Sequence, residues 1–82
     1  MPRYFFDLTN GDGPLSDEEG TELGGPDQAR DYAVRAARDV AASEIREGSG
    51  VDLQSFVTIR DEAGVELERV TFAQALRITD SG

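Results

Sequence analysis

The chain of 82 residues has no His, no Cys, no Trp and no Lys, so its eight basic residues are all Arg. Each absence removes a class of function. Without Cys there is no disulfide and no thiolate metal site. Without His the commonest general base and the commonest metal-binding imidazole are missing. Nucleophilic work would fall to Ser or Thr with no His to activate it. No segment approaches the ~20 apolar residues of a membrane span. The aromatic start, Tyr4-Phe5-Phe6, is too short for the apolar region of a signal peptide. A soluble, cytoplasmic protein is the expectation. What is left for chemistry is carboxylates, guanidiniums, hydroxyls and backbone.

Carboxylates dominate: 17 Asp and Glu against the eight Arg give a formal charge of −9. Their placement matters more than their number. No basic residue stands between Arg3 and Arg30, and that interval carries Asp7, Asp12, Asp17, Glu18, Glu19, Glu22 and Asp27. Such a block is a local negative field that a cationic partner feels at low salt. It argues against nucleic acid or an anionic membrane surface as a partner, since both need basic patches.

The chain is short enough for one domain, residues 1–82, with no internal repeat and no dividing linker. Residues 3–9 alternate as a strand, with Tyr4, Phe6 and Leu8 on one face and Phe5 and Asp7 on the other. Asn10-Gly11-Asp12-Gly13-Pro14 is a dense turn, with Pro14 expected to stop pairing. A weak second strand is expected within 15–23. Pro26 suits the first position of a helix that runs to about Arg46 and ends at Gly48. On it Ala29, Tyr32, Ala33, Ala36, Ala37 and Val40 form the predicted buried stripe, and its alanines imply close approach to a sheet. Asp31–Arg35 and Arg35–Asp39 stand four apart, suited to ion pairs on the outer side. Residues 54–61 and 65–70 read as strands around an Asp61–Gly64 hairpin, with a bulge or strand end expected near Glu68-Arg69. Thr71 to Gln74 fits a capping box that opens a short helix over 72–77. The expected fold is α+β: an antiparallel sheet in ββαββ order plus a short C-terminal helix, packed on one long helix.

Two features stand out as contact surfaces. Phe5 and Phe56 fall on the sheet face away from the long helix, which suggests a homodimer interface; the alternative is cover from Phe72 and Leu76 within one chain. Asp17, Glu18, Glu19 and Glu22 are the candidate residues for docking a basic protein partner. The same acids over 12–22 leave open a small-ligand or divalent-cation site. A calcium loop needs alternating oxygen ligands, however, and Asn10, Asp12 and Pro14 break that series at its third member. No metal ligand set, cofactor site or catalytic residue is assigned. One enzymatic alternative is Pro2, which would become a secondary amine if Met1 were removed. Short proteins of the tautomerase type use such a base, but the order of helices and strands here does not suit that type.

The chain resembles a family of small bacterial proteins described only as a domain of unknown function. The resemblance rests on Pro2-Arg3-Tyr4-Phe5-Phe6, Asp17-Glu18-Glu19-Gly20-Thr21-Glu22-Leu23, the Ala/Arg-rich helix, the Asp61-Glu62-Ala63-Gly64 hairpin, and Phe72-Ala73 with Ala75. It covers nearly the whole chain. Members of that family commonly carry His where this chain has Asp7, so no imidazole role carries over. The resemblance implies a stand-alone cytoplasmic domain and supplies no activity. The expected function is therefore that of a non-enzymatic, acidic interaction module.

Overall fold

A computed structural model describes residues 1–11 and 13–77. The strands are β1 (Arg3–Asn10), β2 (Gly13–Leu15), β3 (Thr21–Glu22), β4 (Phe56–Arg60) and β5 (Glu66–Thr71), and the helices are α1 (Pro26–Glu47) and α2 (Phe72–Leu76). All pairings are antiparallel, in the order β2-β1-β4-β5, with β3 also on β1. Leu8 lies opposite Val57, which in turn lies opposite Val70, so apolar residues line up across one face.

Helix α1 opens with Pro26 behind an extended Gly25 and closes on Gly48, whose φ of 78° belongs to the left-handed region that glycine enters freely. There the Gly48 amide donates to the Ile45 carbonyl and the Ser49 amide to that of Glu44, satisfying the last turn. The buried row is Ala29, Ala33, Ala37 and Ala41. It meets Tyr4, Val57, Ile59, Val70 and the fully buried Phe72 and Ala75 in one core. Four methyl side chains in an i, i+4 row let the helix backbone settle close to the sheet.

This row is shifted from the predicted stripe. Tyr32 is exposed, and Ala41 is buried in its place. The cause is α2, which packs beside α1 and widens the buried surface on that flank. The capping box that starts α2 is present in full: the Gln74 amide donates to Thr71 Oγ1 and the Thr71 amide to Gln74 Oε1. Since Phe72 lies in the core under α1, it does not cover Phe5 and Phe56 as the alternative reading supposed.

Other expectations need correction. The weak second strand is two short ones, β2 and β3, which pair with different parts of β1. Pro14 does not end pairing but sits in β2 opposite Thr9, a position open to proline because β2 is an edge strand. The bulge expected near Glu68-Arg69 is present, at the adjoining Leu67, where Ile59 and Arg60 pair with Glu68 and Glu66. Among the described residues neither Asp31–Arg35 nor Arg35–Asp39 forms an ion pair. Arg30 instead reaches Glu68 at 3.2 Å, and Arg38 Nε donates to the Ala75 carbonyl at 2.7 Å. No helix among the described residues is long and apolar enough to cross a membrane.

The alanine row makes a direct prediction. Ala37→Leu forces extra volume into the helix–sheet contact and is expected to lower stability by about 1–3 kcal/mol. Ala42→Leu, on the exposed side, should stay within about 0.5 kcal/mol. Urea unfolding midpoints of the two variants check this.

Candidate functional site

The acidic segment forms a strap along the outer edge of β1. β3 pairs with β1 at Arg3 and Tyr4, and β2 pairs with it from Leu8 to Asn10. Between these the edge of β1 has no strand, and Asp17 substitutes for one. Its Oδ2 accepts from the Phe6 amide at 3.1 Å, and its own amide donates to Asp7 Oδ1 at 2.9 Å. Asp17 Oδ1 also accepts from the amides of Glu19 and Gly20, an Asx-type turn that folds the strap back on itself. Gly20 then passes so close to β1 that a Cβ there would stand 2.9 Å from both Arg3 Cγ and Phe5 Cε2, and its φ is +73°. Both conditions demand glycine.

One ion pair secures the strap directly, and a second holds Asp7, the β1 residue to which the Asp17 amide donates. Arg3 donates to the Glu19 carbonyl at 2.8 Å and to Glu22 Oε1 at 3.1 Å. On the sheet face away from α1, Arg60 grips Asp7 through Nε and Nη2. This bond from the Arg60 guanidinium holds the Asp7 carboxyl below its ordinary value of 3.8, outweighing partial burial, and the Asp17 amide adds to the effect. Arg60 is pushed up in turn by Asp7. Both groups therefore stay charged at neutral pH, which suits them for anchoring and not for proton transfer.

The four acids proposed from sequence for docking thus divide. Asp17 is engaged with backbone amides, and losing an acceptor for a half-buried amide costs about 1–3 kcal/mol. Glu22 is paired with Arg3, an exposed pair worth about 0–1 kcal/mol. Glu18 and Glu19 are exposed, and their carboxylates have no partner among the described residues. They stand on the rim of a groove of about 710 Å³ between the strap and α1. Phe6, Leu15, Tyr32 and Ala36 line the groove, with the Phe6 and Tyr32 rings 4.5 Å apart at 38°. Tyr32, assigned to the core from its helical phase, instead belongs to this wall at 40% exposure. A carboxylate rim over aromatic faces suits a guanidinium or ammonium, which gains from both. Among the described residues no three carboxylates converge as a cation site would require.

A family model matches residues 3–73, from β1 into the start of α2. The chain belongs to the family named Domain of unknown function (DUF6894). The DUF6894 match takes in the strap, the groove and the hairpin, so each element of the candidate site lies within it. No curated protein and no solved structure matches the chain.

The far sheet face carries the other two predicted contact residues. Phe5 lies opposite Arg60, whose guanidinium carbon sits 5.3 Å from the ring centroid; Arg69 covers Phe56 at 4.2 Å. Both rings are half-buried. The two arginines are what sequence reasoning missed: they become visible only once strand register sets which side chains lie beside each ring.

The Asp7–Arg60 bond has a testable sign. A carboxyl with a depressed folded-state pKa stabilises the protein above its unfolded value of 3.8 and loses that contribution as pH falls through the lower folded value. Arg60→Gln should therefore be less stable than wild type at neutral pH, and the gap should narrow on acidification below pH 3.8. Urea titrations across that range measure it.

Proposed function

We propose that this chain is a non-enzymatic, cytoplasmic interaction module that holds a basic segment of a protein partner in the groove between strap and α1. The observation that carries the reading is the pair of unpartnered carboxylates, Glu18 and Glu19, on the rim of a groove walled by Phe6 and Tyr32. The strap is rigidly built, so these acids are presented without a large ordering cost on binding. Arginine fits better than lysine, because a guanidinium can stack on a ring while donating to a carboxylate.

A fluorescent arginine-rich peptide tests this by anisotropy. It should bind wild type in a salt-dependent way, and the double variant Glu18→Gln/Glu19→Gln should weaken it about tenfold. Tyr32→Ala should weaken it separately, and Glu47→Gln at the far end of α1 should not. Equal loss with Glu47→Gln would reduce the effect to net charge and overturn the reading.

We further infer a homodimer through the sheet face opposite α1. Its support is that no described helix lies on that face, while Phe5 and Phe56 stand there under Arg60 and Arg69. A two-fold pairing would bury both rings and their arginines together. Sedimentation should find a dimer for wild type and a monomer for Phe56→Ser; a wild-type monomer at high concentration would refute it.

A further inference from the structure

The flank of α1 opposite the acid-rimmed groove has the reverse character. A cleft of about 350 Å³ between α1 and α2 is lined by Arg30, Arg35, Arg38 and Arg77, with Asp31 and Gln74 among its other residues. Half of the cations in a chain of charge −9 therefore gather around one opening. Like charges crowded in this way repel one another, and a bound anion relieves that repulsion.

Each side chain there is left with donors. Arg38 gives Nε to the Ala75 carbonyl at 2.7 Å, which fixes the side chain against α2 and leaves its two Nη groups over. Arg30 has one contact, Nη1 to Glu68 at 3.2 Å. Arg35 and Arg77 have no acid partner among the described residues. Gln74 has its Oε1 engaged by the Thr71 amide, so it offers the cleft only an NH₂. Asp31 is the one carboxylate in the lining. Arg77 is also the one described non-glycine residue with positive φ, at 57°, where it closes α2 and turns the chain at the cleft. A residue with a Cβ held in that region bears a conformational cost.

We propose that this cleft binds a phosphate group. Several guanidiniums with free N–H pairs match the oxygens of a tetrahedral dianion better than a single flat carboxylate, and arginine holds phosphate through paired hydrogen bonds. The volume admits a phosphate with a small organic substituent, so inorganic phosphate and a phosphomonoester share the same chemistry there.

Thermal shift is a poor probe, because phosphate stabilises many proteins by exclusion from their surface. Line broadening in ³¹P spectra, on the full chain at constant ionic strength, reads binding directly. Inorganic phosphate should bind saturably at millimolar concentration or below. Arg35→Gln/Arg77→Gln should weaken binding about tenfold or more, while Arg46→Gln, outside the cleft, leaves it unchanged. Tighter binding of phenyl phosphate would assign the cleft to an esterified group, and tighter binding of inorganic phosphate to the free ion. Absence of saturation overturns the proposal, as does equal loss in Arg46→Gln. So does a double variant that binds phosphate normally but changes oligomeric state, which would make the cleft a contact for acidic protein surface. Circular dichroism of the variants confirms that folding is intact.

Discussion

The contact of the Ala29, Ala33, Ala37 and Ala41 row with the sheet is the constraint on which the rest depends. With methyl groups alone at the centre of the interface, α1 lies low over Val57, Ile59 and Val70, and its flanks come down with it. On one flank that descent brings Tyr32 against Phe6 and makes the wall of a groove. On the other it brings Arg38 within reach of the Ala75 carbonyl and makes the wall of a cleft. Larger residues in the row would lift the helix and open both. The groove and the cleft are therefore consequences of core packing, even though neither lies in the core.

The acidic strap shows how charge and architecture can be confused. Read as a string, Asp17-Glu18-Glu19-Gly20 is a run of negative charge before a helix. Folded, its first member completes a strand edge and its last allows close passage over Arg3 and Phe5. Only the carboxylates of the two middle residues face outward without partners among the described residues. The distinctive character of this segment thus has a large structural component, and an account based on charge alone misses the backbone amides that Asp17 holds.

Much of the layout was legible because it follows from local rules. Alternation marks β1 and β4, Pro26 and Gly48 bound α1, Gly64 turns the hairpin, and Thr71 with Gln74 opens α2. What was hidden depends on neighbours remote in sequence. The buried side of α1 cannot be centred without knowing that α2 lies beside it. Strands of two and three residues, as in β2 and β3, are too short to show a period. Arg35 stands four residues from both Asp31 and Asp39 yet pairs with neither, while Arg30 and Arg38 bond to β5 and α2. The site was half visible for the same reason: Glu18 and Glu19 are evident as charge, but the aromatic wall beside them comes from two separate elements.

The Leu67 bulge and the broken edge beside β1 have a shared consequence for life at high concentration. A sheet grows by adding strands to a long, regular border, and this one has none to offer. One border is divided into two short strands separated by a carboxylate turn. The other is kinked at Leu67 and flanked by Glu66, Glu68 and Arg69. Sequential edge-to-edge stacking into fibres is thereby discouraged at both ends. A small domain with a thin core is thereby protected along its strand edges.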